Sequence, residues 1–185
     1  MVARATSDEA ALIAAAKIGD ADAFEALVRA HADAVYGHAL RFFGDPTTAE
    51  DVAQEVFVKV FRSITSFDGN AAFSTWLYRV TRNVCLDMFR KGKRRPTPVD
   101  PVDLATQTSP GDLADDIALS ASLEQAISGL APEDRDAFNS VTLFGLTYPE
   151  AAQILSVPVG TVKSRVFRAR RMLIATLGLD KGGAA

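Results

Sequence analysis

Basic side chains occur in two clusters that could bind a polyanion. The range Arg79–Arg95 holds seven basic residues against one acid, Asp87, and Thr161–Arg171 holds five basic residues and no acid. Between them, Pro96–Asp136 holds nine acids against the single base Arg135. The formal net charge of −3 therefore conceals two separate cationic segments. Such segregation predicts two contacts with a polyanion such as nucleic acid.

The residues that usually support catalysis are missing from the sequence. His31 and His38 are seven positions apart, a rise of about 10.5 Å on one helix, which is too far for them to share a metal ion without other ligands. No glycine-rich phosphate loop, zinc-type Cys/His cluster or nucleophile elbow is present. We therefore expect a protein that is not an enzyme, with no catalytic residue, no metal and no cofactor.

The compartment can also be predicted. A single cysteine, Cys85, cannot form an internal disulfide, which is consistent with a reducing environment. The first residues, Met1–Asp20, lack the basic start and apolar run of a secretory signal. No apolar stretch approaches the roughly 20 residues that a membrane span needs. The prediction is a cytoplasmic protein without membrane insertion.

The chain is expected to be all-α, with two small helical domains joined by a flexible linker. Asp20 and Asp45 are suited to cap helices that begin at Ala21 and Pro46, and no strand pattern of useful length occurs. Four prolines lie among small and acidic residues between the two halves. The predicted division is residues 1–91, a flexible acidic linker at 92–114, and a helix-turn-helix domain at 115–185.

The C-terminal half contains a helix-turn-helix pattern. A short helix from Thr147, a tight turn over Ser156–Gly160 and a longer basic helix follow one another. One stripe of the last helix is apolar and should face the core: Val162, Val166, Ala169 and Leu173. The opposite face is cationic and carries Phe167, which suits the major groove of DNA. A solvated basic face on an ordinary helical bundle is the alternative.

Two further patterns lie in the N-terminal half. On the helix after Pro46, an inward valine stripe leaves Val58 and Phe61 on the outer face, which suits a partner surface unless a neighbouring helix covers it. A later helix, from about Phe73 to Arg90, has a cationic outer face beside the loop 67–72. In a protein that binds melted DNA, such a loop could receive an unstacked base, with aromatic and cationic groups nearby. Phe73 and Trp76 could equally be core aromatics.

The three patterns together resemble the small, two-domain extracytoplasmic-function sigma factors of bacterial RNA polymerase. Val157–Arg165 and Arg168–Arg170 resemble their promoter-reading helix-turn-helix. Response regulators carry similar helix-turn-helix segments, so this match alone would not decide the family. Ala49–Phe57 resembles their polymerase-docking helix, and Phe73–Val80 with Arg82–Asp87 resembles their segment for melting the minus-ten element. Phe138–Thr142 and the Ala151-Ala152 pair depart from the usual family pattern.

The resemblance implies site residues of three kinds. Residues expected to read the minus-thirty-five element are Lys163, Ser164, Arg165, Phe167, Arg168 and Arg171. Residues expected to bind the melted minus-ten element are Asp68, Gly69, Asn70, Ala71, Phe73, Thr75, Trp76, Arg79, Arg82 and Asn83. Residues expected to bind polymerase are Asp51, Gln54, Glu55, Val58, Phe61 and Arg62.

The resemblance also implies a function and partners. A sigma factor binds core RNA polymerase through the clamp of its largest subunit, directs it to promoters and helps to melt the minus-ten element. The implied partners are core polymerase, promoter DNA in duplex and melted form, and an anti-sigma factor. The alternative is a helix-turn-helix transcription regulator that does not dock on polymerase, which would leave the two N-terminal patterns unexplained.

Overall fold

A computed structural model describes residues 7–93, 122–123 and 125–178. Throughout these residues the regular structure is helical, as predicted. The helices are α1 (Ser7–Lys17), α2 (Ala21–Phe43), α3 (Pro46–Ser63), α4 (Phe73–Lys93), α5 (Pro132–Thr142), α6 (Tyr148–Leu155) and α7 (Val159–Thr176). A short 3₁₀ turn, Ile64–Ser66, follows α3, and residues 125–128 are also helical. The predicted linker lies outside the described residues, apart from residues 92 and 93, which continue α4.

The boundaries of the first helices follow from local capping. The Asp20 side chain accepts a hydrogen bond from the Ala23 amide at 2.9 Å, and the Asp45 side chain accepts one from the Thr48 amide at 2.7 Å. Each bond satisfies an amide that has no partner inside its own helix. Gly44 ends α2 in the left-handed region, with φ of 74°, where a side chain would be strained. The capping positions predicted from the sequence are confirmed.

The helices α1 to α4 form an N-terminal group around one apolar core. Helix α3 contributes a fully buried valine stripe, and α4 contributes Leu77 and Val84. Burial of each such side chain contributes about 1.5–3 kcal/mol. Because these side chains recur every three to four residues, one face of each helix packs in the core. The opposite face of α3 lies outside this core.

The helices α5 to α7 form a C-terminal group. Ala137, Leu146, Val162 and Val166 lie at its centre, and Ala169 and Leu173 continue the stripe towards Ile127 and Leu130. This group packs on α2 and α4, where the ring of Phe144 lies 5.0 Å from the ring of Tyr78. The described residues therefore include a contact surface between the two groups.

Candidate nucleic-acid and protein interfaces

A helix-turn-helix is formed by α6 and α7. The Thr147 amide donates to Glu150 Oε2 at 2.8 Å, and the Glu150 amide donates to Thr147 Oγ1, so the two residues form a reciprocal capping box at the start of α6. Helix α6 ends at Ser156, which adopts the left-handed conformation with φ of 55°, and Pro158 precedes α7. This geometry fixes the sharp turn that the sequence pattern predicted.

The outward face of α7 is open to solvent. The predicted apolar stripe is buried, whereas Lys163, Ser164, Arg168 and Arg171 are exposed and Arg165 is half-buried. Phe167 is 61% exposed, and the Arg171 guanidinium lies 5.9 Å from the centre of its ring, in cation–π geometry. The residues predicted to read duplex DNA thus form one continuous surface, with Arg165 at its edge.

Arg168 is anchored inside its own group. Its Nε and a terminal guanidinium nitrogen donate to the two carboxylate oxygens of Asp134 at 3.0 and 2.6 Å. These hydrogen bonds raise the pKa of Arg168, and the Asp134 carboxylate is largely buried. Such bidentate pairing fixes the guanidinium plane. The sequence predicted only a DNA contact for Arg168. It did not predict this contact with Asp134, which lies 34 residues away in the chain.

The outer face of α3 carries the residues predicted to bind polymerase. All six are exposed: Asp51, Gln54, Glu55, Val58, Phe61 and Arg62. Val58 is 43% exposed and Phe61 is 60% exposed. The rings of Phe61 and Phe24 meet edge to face, with their centres 5.1 Å apart. The alternative that a neighbouring helix covers this face is therefore wrong for the described part of the chain.

The loop before α4 borders a cavity of about 290 Å³. Asp68 accepts hydrogen bonds from the amide and the side-chain nitrogen of Asn70 at 3.0 and 2.6 Å, and these bonds lower the pKa of its carboxyl group. Gly69, with φ of 74°, allows the tight turn between them. The loop predicted to receive a base is therefore preorganised beside an open space.

Helix α1 forms the opposite wall of this cavity, which the sequence did not predict. Ala10, Ile13 and Ala14 supply an apolar lining. Lys17 lies at the end of this wall, and its Nζ donates to the backbone oxygen of Phe67 at 2.6 Å. Because 50 residues separate the two partners, no local pattern could have indicated the contact.

Phe73 requires a correction. It is 2% exposed, and its ring packs against the rings of Phe67 and Trp76, each at 5.6 Å. It is therefore a core residue that supports the loop, and in this arrangement its ring cannot contact DNA. Trp76 is half-buried, whereas Arg79 and Asn83 are exposed on the outer face of α4, as predicted.

Two other α4 residues predicted to face DNA are covered by the C-terminal group. The Thr75 hydroxyl, in a residue only 4% exposed, donates to Glu150 Oε1 at 2.9 Å. Arg82 Nε donates to Asp136 Oδ2 at 2.8 Å. Their expected outward direction is correct relative to the N-terminal group, but Thr75 is buried and the Arg82 side chain is only 25% exposed. The sequence did not indicate Asp136 and Glu150 as partners of these two residues, because the contacts are long-range.

A buried histidine lies beneath this contact. His38 is fully buried, and burial lowers its pKa to about 4 although the nearby Asp136 carboxylate opposes the shift. Its Nε2 is 4.0 Å from Asp136 Oδ1, and within the described residues neither ring nitrogen has a hydrogen-bond partner. A cavity of about 320 Å³ at the contact is bordered by His38, Arg82 and Asn139. His38 is thus a neutral ring held at the surface where the two groups meet.

Other potentially reactive groups are buried or dispersed. Burial raises the pKa of the Cys85 thiol to about 12, so this side chain is protonated at neutral pH. Within the described ranges, no group of three or more His, Cys, Asp or Glu side chains is placed to hold a metal ion. Over the same ranges, none of the helices combines the length and apolar character needed to cross a bilayer.

Comparison with protein families assigns both halves of the chain. Residues 27–95 match the family described as Sigma-70 region 2. Residues 120–173 match the family described as Sigma-70, region 4. The first match contains the outer face of α3 and the loop with α4, and the second contains the helix-turn-helix.

Two curated relatives extend over most of the chain. The ECF RNA polymerase sigma factor SigE of Mycolicibacterium smegmatis is 38% identical over 91% of this chain, which spans 63% of that protein. The ECF RNA polymerase sigma-E factor of Haemophilus influenzae is 37% identical over 88% of this chain and 92% of its own length.

Two solved structures share the fold. CnrH in complex with the cytosolic domain of CnrY gives a TM-score of 0.67 at 27% identity, covering 95% of this chain and 100% of that one. The sigma factor RpoE of Bartonella quintana, in complex with the anti-sigma factor NepR, gives a TM-score of 0.64 at 25% identity. That alignment covers 85% of this chain and 98% of the RpoE chain.

Proposed function

The chain belongs to the extracytoplasmic-function RNA polymerase sigma factors, and we propose that it binds core polymerase, directs it to specific promoters and helps to melt the minus-ten element. One observation carries the proposal: three surfaces of different chemistry occur on one chain. They are an exposed apolar face on α3, a preorganised loop and cavity beside α4, and an exposed cationic face on α7. The protein acts as an initiation factor rather than an enzyme.

The polymerase contact is assigned to the outer face of α3. Val58 and Phe61 provide apolar area at its centre, and Asp51, Gln54 and Arg62 surround them with polar groups. An apolar centre with a polar rim is typical of protein interfaces. The clamp of the largest polymerase subunit is the proposed partner surface.

The minus-ten contact is assigned to the loop and α4. A base extruded from the stack costs a few kcal/mol and needs a preformed pocket. The cavity behind Asp68, Gly69 and Ala71 supplies that space. Cations on α4, with Arg79 outermost, would hold the adjacent strand without reading its sequence.

The minus-thirty-five contact is assigned to α7. Lys163, Phe167 and Arg171 are exposed on the face opposite the buried stripe. A helix with this face can enter the major groove, where cations pair with guanine edges and phosphates and an aromatic ring contacts the thymine methyl group. Residues 1–91 and 115–185 are proposed as the two domains, with the acidic segment of the sequence between them.

Regulation by a separate protein is also proposed. The similar RpoE was solved with an anti-sigma factor, and the shared fold supports a partner of this class for the present chain. The proposed site of action is the cytoplasm, where RNA polymerase works. The exposed faces of α3 and α4 are the surfaces that such a partner would need to cover.

Run-off transcription with purified core polymerase tests the function. We expect promoter-specific transcripts when the protein is added and none with core polymerase alone. Phe61→Ser should weaken binding to core polymerase at least about tenfold, because an aromatic anchor at the centre of an interface carries much of its energy. Ile18→Ser is the matched control, since Ile18 is 89% exposed and lies outside this face.

The two outcomes separate the candidate functions. Loss of polymerase binding in Phe61→Ser but not in Ile18→Ser would support docking through α3. If the protein binds promoter DNA but never binds core polymerase, it is a helix-turn-helix regulator that acts without docking.

A further inference from the structure

Two carboxylates of the C-terminal group lie on the surface of α4 that is proposed to hold the melted strand. Asp136 on α5 accepts a hydrogen bond from Arg82, and Glu150 on α6 accepts one from Thr75. The partners are 54 and 75 residues apart in the chain. The contacts therefore depend on how the two helical groups are placed against each other.

The Asp136 carboxylate is held by more than one donor. Besides the bond from Arg82, the Tyr78 hydroxyl lies 3.2 Å from Asp136 Oδ1 and 3.1 Å from its backbone oxygen. Burial raises the pKa of Tyr78 well above its ordinary value, so the phenol remains protonated and can donate. The side chains of Arg82 and Asp136 are 25% and 16% exposed, which limits screening of the pair by solvent.

A carboxylate offers a guanidinium the same kind of anionic oxygen pair that a phosphate offers. We infer that the C-terminal group competes with the melted promoter strand for α4, with Asp136 and Glu150 occupying groups that would otherwise bind the strand. The inference rests on the proposed function, because it takes Arg82 and Thr75 as strand-binding residues. A strand that accepts the Arg82 Nε hydrogen bond must displace Asp136.

The competition is limited in strength. A partly exposed ion pair contributes modestly, but the contact is intramolecular and therefore acts at a high effective concentration. The free protein would hold this surface closed against stray single strands. A partner that draws the two groups apart would open it, and the strand could then displace the carboxylates.

Strand binding by the full chain tests the inference. The probe is a fluorescent single-stranded DNA of mixed sequence, about twenty nucleotides long, because phosphate contacts do not depend on sequence. Asp136→Asn should bind it about fivefold more tightly than the unaltered chain, since the internal competitor is weakened. Its radius of gyration in X-ray scattering should increase as the groups separate.

A matched control removes the effect of net charge. Asp33→Asn makes the same change in charge at an exposed position of α2, outside the contact, and should alter strand affinity by less than about twofold. Glu150→Gln keeps a side chain that is compatible with the capping box and should shift affinity in the same direction as Asp136→Asn, by less. If neither variant binds the strand more tightly than Asp33→Asn, the inference is overturned.

A double variant separates this inference from the proposed function. Arg82→Ala in the Asp136→Asn background should reduce strand affinity, because the freed guanidinium is removed. No reduction would refute the role of Arg82 in strand binding. A reduction without any gain in Asp136→Asn itself would refute only the competition.

Discussion

The two cationic surfaces of this chain are held in opposite ways. On α7, Arg168 pairs with Asp134 of the same helical group, and the neighbouring cations face solvent. On α4, Arg82 pairs with Asp136 of the other group. The first pairing persists wherever the groups move relative to each other, whereas the second exists only while they are in contact.

The Arg168–Asp134 pair is therefore a permanent pair, whereas the Arg82–Asp136 pair is conditional on contact between the two groups. A cation fixed by its own group is positioned before any partner arrives, so the surface for duplex DNA is preorganised. A cation fixed by the other group is available only after a rearrangement. An ion pair within one group thus supports recognition of DNA, whereas an ion pair between the two groups opposes it. The difference is whether the carboxylate belongs to the same group as the cation.

The largest expected effect comes from breaking the permanent pair. Arg168→Ala leaves the largely buried Asp134 carboxylate without its bidentate partner, so the C-terminal group should melt several degrees lower and minus-thirty-five-dependent transcription should be lost. Arg82→Ala should leave the melting temperature almost unchanged, because that pair joins two groups rather than stabilising one. Calorimetric melting of both variants checks the contrast. Equal melting shifts would remove the distinction between the two surfaces.

A second prediction concerns recognition by α7 without damage to its fold. Lys163→Ala should reduce use of the minus-thirty-five element by roughly fivefold to a hundredfold if a base contact is lost, and flatten the salt dependence if a phosphate contact is lost. Core-polymerase binding should not change. Arg170→Ala is the control, since it removes an exposed cation from the same helix, about two turns beyond Lys163 and outside the set of residues predicted to contact DNA. An equal loss in Arg170→Ala would mean that general charge, not a particular contact, binds the DNA.

Contact between the two helical groups, which covers part of α4, should depend on pH through His38. The pKa of His38 is about 4 while the groups are in contact and should rise towards 6.5 when separation admits water. Protons therefore bind preferentially to the separated form, and contact should be lost as the pH falls from about 6.5 towards 4. The equilibrium should change at most about tenfold per pH unit.

Several charged and titratable groups surround His38 and shape this response: Arg41, Tyr78, Arg82, Arg135 and Asp136. X-ray scattering at about pH 7.5 and about pH 5.5 should show an expansion in acid that His38→Gln abolishes. The arginines oppose protonation and Asp136 favours it. Expansion of the same size in His38→Gln would show that protonation of His38 does not drive the response.

The smallest expected effect lies at the cavity beside the loop. Lys17→Ala removes the hydrogen bond to the Phe67 backbone oxygen, so the loop should lose part of its fixed geometry. Discrimination between bases at one minus-ten position should fall about twofold to fivefold, in line with the modest value of one hydrogen bond. Arg29→Ala, which removes an exposed cation from α2, should not change discrimination. The measurement is transcription from templates that differ at that position.

Local features of the sequence predicted most of the helices. Asp20 and Asp45 predicted two helix starts because a capping interaction involves residues only three positions apart. The buried stripe of α7 followed from helical periodicity. Exposure of Val58 and Phe61 could not be decided in this way, because an outer apolar residue has the same periodicity whether or not another helix covers it.

Long-range contacts account for what the sequence missed. Phe73 was assigned to DNA because the segment that begins with it resembles the family segment that melts the minus-ten element, but Phe67 and Trp76 pack against its ring in the folded chain. Asp136 belongs to an acidic segment that would be expected to face water, yet it meets Arg82 across the two groups. Neither outcome follows from spacing, because each depends on which helix faces meet.

The two hydrogen bonds of Glu150 affect how fast the two helical groups can separate. Its Oε2 remains in the capping box with Thr147, while its Oε1 accepts the bond from Thr75. Separating the two groups therefore breaks one contact of the carboxylate without unwinding the first turn of α6. Motion of preformed helices as rigid units occurs in microseconds to milliseconds, whereas local unfolding can take up to seconds. Opening of the α4 surface should accordingly occur in microseconds to milliseconds, and the surface should close again as quickly once the strand is released.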